Sequence, residues 1–237
     1  MADAPRPTDR LATATDPAEA WRGRRRRRDH GSKRDAVIRT AARAFDERGY
    51  HNTSLDDIAA ALGVTKPTVY YYVANKEQLL FECFRAGLEP IRAALRRAEA
   101  APGTGRDRLR EVIRDYAVAI ASEYGWCMVR AEHQDLGTDL SGQVKALKSE
   151  IDRGIRRLLQ AGIADGSIAV QDPKLAAFAI AGALNWIAHW YRAGRSLSAE
   201  QVAEAFVQLL EHGLAPRSEA QAMPAPARMR RKTKTTG

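Results

Sequence analysis

The sequence contains few residues that bind metals or form cross-links. Its two cysteines, Cys83 and Cys127, lie far apart, and neither belongs to a Cys-x-x-Cys pair. A disulfide scaffold or a zinc site is therefore not expected. The five histidines show no metal-ligand spacing. We predict no metal and no cofactor, and we interpret both cysteines as small buried apolar side chains.

Long apolar runs and enzyme signatures are also missing. No run of about 18 apolar residues is present, so no membrane span is expected. The N-terminus, MADAPRPTDRLATATDPAEA, lacks the apolar segment of a signal peptide. These absences predict a cytoplasmic protein without a membrane partner. Because there is no GxSxG, HExxH, P-loop or paired-carboxylate pattern, we predict that the protein is not an enzyme.

The charge is strongly positive and unevenly distributed. The 237 residues carry a net charge of +9, which favours a polyanionic partner such as nucleic acid. Most of the excess lies in two flanks, residues 21–34 and 227–234. These flanks are also rich in small and polar residues, and we predict disordered basic tails over 1–30 and 215–237. Their arginines would add sequence-independent attraction to phosphates.

Between the tails, apolar residues recur at helical spacing and no alternating strand pattern stands out. The sequence predicts an all-α protein of about nine helices. Their expected ranges are 32–49, 55–62, 66–73, 76–100, 106–124, 126–136, 142–165, 173–193 and 198–213. Ser32 and Asn75 are predicted N-caps, and Gln78 is the capping-box partner of Asn75. We expect a first domain over 31–77 and a second over 78–214.

The second and third helices form the pattern of a helix-turn-helix. They are short, a Gly-containing turn joins them, and the later helix begins with polar residues, as a helix that enters the major groove of DNA must. At about 100° per residue, Val69 and Val73 share the inner face of this helix. Tyr71 then points outward, while Tyr70 and Tyr72 lie on the flanks. The pattern predicts that double-stranded DNA is the partner.

The segment TSLDDIAAALGVTKPTVYYYVANKEQLL closely resembles the DNA-binding region of the tetracycline-repressor (TetR) family of bacterial regulators. The resemblance covers about residues 32–84, and it implies a homodimer that binds a palindromic operator. Asp56 departs from the family pattern, because many members carry a basic residue at this position. The DNA contacts that it implies are Thr53, Ser54, Thr65, Lys66, Pro67, Thr68, Tyr70, Tyr71, Tyr72 and Lys76.

In this family the C-terminal helices dimerise and enclose an effector pocket. The segment KLAAFAIAGALNWIAHWYRAG is apolar on nearly all sides, so we expect it to be buried in a core and an interface together. We predict a dimer through the last two helices. Aromatic residues cluster outside the headpiece, and ordinary packing and an apolar ligand cavity are both open explanations.

The segment NWIAHWYRAGRSLSAEQV is similar to the end of those members that respond to acyl-CoA thioesters. The similarity implies a small hydrophobic effector, an acyl-CoA from lipid or steroid catabolism being one example. His189 or Arg192 would then lie near an anionic head group. The expected ligand-binding residues are Tyr116, Trp126, Trp186, His189, Trp190 and Arg192. For His189 alone, a structural histidine is the stronger interpretation.

The function predicted from these features is a homodimeric, ligand-responsive transcriptional repressor. Two alternatives stay open. One is a ligand-dependent activator, and the other is a non-specific nucleic-acid binder that works through its Arg-rich tails.

Overall fold

The computed structural model describes residues 29–131 and 135–213. These residues form ten α-helices and no strand. The helices are α1 (Asp29–Arg48), α2 (Leu55–Leu62), α3 (Lys66–Tyr70), α4 (Lys76–Ala100), α5 (Gly105–Ile120), α6 (Gly125–Val129), α7 (Thr138–Ala164), α8 (Pro173–Asn185), α9 (Ile187–Trp190) and α10 (Ala199–His212). The all-α class is thus confirmed.

Several helix boundaries differ from the predicted ones. Residues 1–28 and 214–237 lie outside the described residues, and so does nearly all of the two predicted tails. The first helix begins at Asp29, so the prediction that Ser32 is its N-cap was wrong. The predicted helix over 173–193 is divided into α8 and α9 at Trp186.

The predicted N-cap Asn75 and the predicted helix end at Gly63 are present, but the predicted capping box is wrong, because the Gln78 side chain bonds to Ala74 and not to Asn75. The Asn75 side chain accepts a hydrogen bond from the Gln78 backbone N–H at 2.7 Å, and Gln78 Oε1 accepts one from the Ala74 N–H at 2.7 Å. Gly63 ends α2 with a φ of 66°, a left-handed conformation that suits glycine. Helix α2 has eight residues, a length at which the sequence alone would give only marginal stability.

Two hydrophobic cores organise the described chain. The first is built mainly from α1, α2, α3 and the start of α4, and we call residues 29–73 the headpiece. It is extended by Cys127, Ala131, Leu136 and Val144 from the C-terminal part. The second core joins α4, α5, α7, α8 and α10. Helix α4 runs without interruption through Pro90 and contributes to both cores, so it links the headpiece to the C-terminal domain.

Both cysteines are fully buried, as predicted, in the first core. The thiol of Cys83 lies 3.4 Å from the Ile38 carbonyl oxygen. Burial raises the pKa of the Cys83 thiol well above its ordinary value and so disfavours the reactive thiolate. In the part of the chain that the structure describes, no helix is both long and apolar enough to cross a membrane.

Candidate functional site

The start of α2 carries two residues that were predicted to contact phosphate. Thr53 is 1% exposed, and its hydroxyl lies 2.9 Å from the Gly49 carbonyl oxygen and 3.2 Å from that of Ala44. Its side chain therefore serves the C-terminal end of α1, and a phosphate contact through this hydroxyl does not fit the structure. A buried hydroxyl is stabilised by such partners, and removing it from them to reach DNA would be costly.

Ser54 is exposed and caps α2. Its hydroxyl accepts a hydrogen bond from the Asp57 backbone N–H at 3.1 Å and donates one to the Asp57 carboxylate at 2.7 Å. The same carboxylate accepts from the Ser54 N–H at 2.8 Å. These hydrogen bonds from Ser54 hold the pKa of Asp57 below its usual range. The arrangement is a capping box, with the acid on the favourable end of the helix dipole.

Helix α3 and the three residues that follow it present their side chains as the helical geometry predicted. Val69 and Val73 are buried in the headpiece core. Tyr71 is 71% exposed and Tyr70 is 47% exposed, whereas Tyr72 is partly buried against the same core. The rings of Tyr71 and Tyr72 meet edge to face with centroids 5.1 Å apart. The valines anchor this helix, and two phenol rings point toward solvent.

The predicted helix over 66–73 is shorter in the structure. It ends at Tyr70, and the chain then tightens, because the Tyr72 N–H donates to the Val69 carbonyl three residues earlier at 2.9 Å. At the start of the helix, the hydroxyls of Thr65 and Thr68 lie 2.9 Å apart. Pro67 is exposed and falls in the first turn, where its missing N–H has no cost.

Both lysines of the predicted surface have intramolecular partners. Lys66 Nζ lies 2.7 Å from Asp56 Oδ2 on α2. Lys76 Nζ donates to the Tyr50 carbonyl oxygen at 3.0 Å and lies 4.3 Å from the centroid of the Tyr50 ring. The Lys76 ammonium therefore also holds the segment that precedes α2.

A cavity of about 230 Å³ lies between the helices of the C-terminal domain. Tyr116 and Asn185 form a polar pair on its wall, with the Tyr116 hydroxyl donating to Asn185 Oδ1 at 3.1 Å. Burial raises the pKa of Tyr116 to about 12, so this phenol stays protonated and keeps its hydrogen bond to Asn185. The lining residues are Leu88, Tyr116, Ile120, Met128, Lys148, Ile151, Asp152, Ile155, Ala177, Phe178, Ala181 and Asn185.

Lys148 brings a positive charge to this cavity from α7. Burial lowers its pKa to about 8, and its ammonium lies 5.2 Å from the centroid of the Phe84 ring. The sequence reasoning missed this residue, although a signal was present. Val144, Lys148, Ile151 and Ile155 follow one another at helical spacing, so a lysine interrupts an apolar stripe.

Five of the six predicted ligand-binding residues lie elsewhere. Tyr116 lines the cavity, but Trp126 packs against the headpiece core, with its ring centroid 6.5 Å from that of Phe45. Trp186 is 63% exposed and stacks on His189 at 4.5 Å. Trp190 and Arg192 are also exposed. The structure thus does not bring these five side chains to this cavity, and their role in ligand binding stays a prediction.

A larger groove of about 400 Å³ lies between α8 and α10, with α5 as its floor. Apolar side chains dominate it, among them Leu109, Ile113, Ile180 and Leu210. At the edge of the groove, Arg110 of α5 forms a bidentate ion pair with Glu211 of α10, Nε to Oε1 and Nη2 to Oε2. Elsewhere on α8, α9, α10 and the junction between α8 and α9, large apolar side chains are exposed, namely Leu175, Phe178, Trp186, Trp190 and Leu209. Such an apolar surface is typical of an interface between subunits.

Two family models match the chain. The one described as bacterial regulatory proteins of the tetR family covers residues 37–83, and the one described as a tetracyclin repressor-like C-terminal domain covers residues 102–214. The first match contains the helix-turn-helix, and the second contains most of the cavity wall.

Individual relatives agree with these models. The HTH-type transcriptional repressor KstR2 of Rhodococcus jostii is 28% identical over 189 residues, which are 77% of this chain and 91% of the relative. The HTH-type transcriptional regulator RutR of Escherichia coli is 31% identical over 163 residues, 66% of this chain and 74% of the relative. The crystal structure of AibR in complex with isovaleryl coenzyme A and operator DNA matches with a TM-score of 0.64 and 29% identity, covering 74% of this chain and 96% of that chain.

Proposed function

Because the chain belongs to the tetR family of bacterial regulatory proteins, whose members are DNA-binding regulators, we propose that it is a homodimeric repressor released from its operator by a small hydrophobic effector. The observation that carries this proposal is the surface of α3. A five-residue helix that buries Val69 and exposes Tyr70, and that is followed directly by the exposed Tyr71, is suited to enter a major groove.

On this proposal the DNA contacts come from the starts of α2, α3 and α4 and from the tyrosines. Lys66 donates to a guanine edge, and Thr68 contacts a base or a phosphate. Tyr70 and Tyr71 pack on sugars and bond to phosphate without adding charge. The full proposed set is Ser54, Thr65, Lys66, Pro67, Thr68, Tyr70, Tyr71, Tyr72 and Lys76.

The proposed effector site is the cavity whose wall includes Tyr116 and Asn185. Its volume of about 230 Å³ is below the roughly 300–1,000 Å³ of drug-sized ligand pockets, so it would hold an acyl group but not a whole coenzyme A. Phe178 lines the cavity and is half-exposed, with the Arg156 guanidinium 5.3 Å and the Lys174 ammonium 5.9 Å from its ring centroid. These cations would suit the phosphates of an acyl-CoA that extends outward, and AibR, a relative, binds isovaleryl coenzyme A.

The proposed route from effector to DNA runs through α4 and α6. Leu88 and Met128 line the cavity, whereas Cys83 and Cys127, on the same two helices, pack in the headpiece core. An effector that separates α4 from α6 would therefore shift the headpiece. The coupling is limited to the difference in its affinity for the two states, typically about 1–3 kcal/mol.

The proposed dimer uses α8 and α10. The groove between them and its exposed apolar margin fit the helices of a second copy of this chain. A two-fold dimer also supplies two headpieces for a palindromic operator, with recognition helices about 34–36 Å apart.

The direct test begins with selection of duplexes from a random library by the wild-type protein. An enriched palindrome is expected, followed by weaker binding of it in gel shifts when isovaleryl-CoA or a longer acyl-CoA is added. Free coenzyme A and free isovalerate are the matched controls for the acyl-CoA. Tighter binding with the ligand would instead identify a ligand-dependent activator, and no enriched sequence would contradict the proposal altogether.

A further inference from the structure

An ion pair joins the two helices of the helix-turn-helix. Lys66 is the first residue of α3, and its Nζ lies 2.7 Å from Oδ2 of Asp56 in the first turn of α2. The two side chains are 49% and 60% exposed. Exposed pairs of this kind contribute little to folding stability. The main effect of this ion pair is therefore on the position of the Lys66 ammonium and not on folding stability.

The two neighbouring aspartates of α2 have different hydrogen-bond partners. Asp57 is engaged by Ser54 in the capping box, whereas Asp56 reaches across to α3. Between Ser54 and Lys76 the chain has two lysines, Lys66 and Lys76, against these two aspartates, so the segment has no net charge. Sequence-independent attraction between this segment and phosphates is correspondingly weak. Selectivity then depends on where its donors point.

A lysine ammonium carries three N–H donors. With one donor directed at Asp56, two remain for the two acceptors of a guanine edge, O6 and N7. A lysine without such a partner sits on a flexible four-carbon stem and can reach whichever phosphate is near. The Asp56 carboxylate raises the pKa of Lys66 through its hydrogen bond and its charge, so the pair does not cost Lys66 its positive charge.

We propose that Asp56 is a positioning residue for operator specificity, which holds the Lys66 ammonium over the groove and keeps it from phosphates of arbitrary sequence. The inference rests on the proposed function, because it requires a preferred operator. On this view the acid lowers affinity for random DNA and leaves the base contact of Lys66 in place.

The test compares wild type with Asp56→Asn, which preserves shape and removes the charge. The probes are the duplex that wild type enriches from a random library and a scrambled duplex of the same composition. We expect Asp56→Asn to bind the scrambled duplex more tightly than wild type does. For that duplex, the slope of log affinity against log salt concentration should become steeper by about 0.9, the value for one added phosphate contact. The ratio of operator to scrambled affinity falls roughly fivefold or more, the loss of one good base contact.

Two controls separate positioning from a general effect of charge. Asp46→Asn removes an exposed acid of α1, and it should leave the ratio unchanged. Lys66→Ala should lower the ratio by itself, and adding Asp56→Asn to it should lower the ratio no further.

The inference is overturned if Asp56→Asn raises the affinities for operator and scrambled duplex by the same factor. It is also overturned if Asp46→Asn lowers the ratio of operator to scrambled affinity as much as Asp56→Asn does. A third contrary result would be an equally large effect of Asp56→Asn on this ratio in the Lys66→Ala variant. Failure of the proposed function looks different, since wild type would then enrich no sequence at all.

Discussion

Phe84 and Leu88 lie one turn apart on α4 and belong to different cores. Phe84 is fully buried in the headpiece core, whereas Leu88 packs in the C-terminal core and lines the cavity. One turn of a single helix thus connects the proposed effector site with the headpiece core. The residue between them on the side of α6 is Gly87, whose missing side chain lets the two helices approach.

Replacing Gly87 by alanine should destabilise the protein. A Cβ there would lie 2.8 Å from Met128 Sδ and 2.8 Å from Tyr124 Cβ. Met128 can move, but Tyr124 Cβ is fixed by its backbone, so α4 and α6 must separate. We expect overpacking to cost about 1–3 kcal/mol, measured by urea unfolding, with weaker operator binding in the absence of effector.

The matched control is Gly142→Ala in α7, where the added Cβ meets nothing within 4 Å. There the lower backbone entropy of alanine should stabilise the helix by about 0.5–1 kcal/mol. Equal effects of the two substitutions would show that the contact between α4 and α6 is not tight.

Tyr71→Ala and Tyr72→Ala should separate DNA binding from stability. Tyr71 is mostly exposed, so its loss should change the free energy of unfolding by less than about 0.5 kcal/mol and still weaken operator binding in an anisotropy titration. Tyr72 packs against the headpiece core, and its loss should lower stability as well. Unchanged operator affinity in folded Tyr71→Ala would remove Tyr71 from the DNA-binding surface.

The orientation of α3 could be predicted from sequence because it depends on local geometry. At 100° per residue, two valines four residues apart define the inner face, and Tyr71 must then point outward. The role of Thr53 could not be found in this way. Its partners are carbonyl oxygens of Ala44 and Gly49, which become available only where α1 ends and the chain turns back.

The full set of residues that line the cavity could not be predicted either, because they come from helices that are far apart in the sequence. Periodicity shows which face of a helix is apolar, but not which helix that face meets. Tyr116 and Asn185 are 69 residues apart and form one polar pair. Trp126 belongs to a short helix beside the cavity, yet its ring lies against the headpiece. A count of aromatic residues could not distinguish these environments.

Lys148→Met should stabilise the protein in a pH-dependent manner. Burial lowers the pKa of Lys148 from 10.5 to about 8, which corresponds to a cost of about 3 kcal/mol whenever both states are protonated. Below pH 8 this cost is fully present. Between pH 8 and about 10.5 the folded protein has lost the proton that the unfolded chain retains, so wild-type stability rises relative to the variant.

The measurement is the difference in free energy of unfolding between Lys148→Met and wild type, followed from pH 7 to about pH 10.5. The advantage of the variant should be largest at pH 7 and should shrink toward high pH. Other titrating groups contribute equally to both proteins and cancel. A difference that stays constant across this range would mean that Lys148 is not desolvated in the folded state.

Leu175→Glu should dissociate the proposed dimer. Leu175 is 64% exposed on α8, and an interface between two identical surfaces would place the new carboxylate in it twice. Burying unpaired like charges is unfavourable, so sedimentation at micromolar concentration should detect monomers. Loss of the dimer should also lower operator affinity, because a monomer offers only one headpiece to an operator with two half-sites. The control is Ala146→Glu at an exposed position of α7, which should stay dimeric. If Leu175→Glu sediments as a dimer with full operator affinity, the subunits meet through another surface.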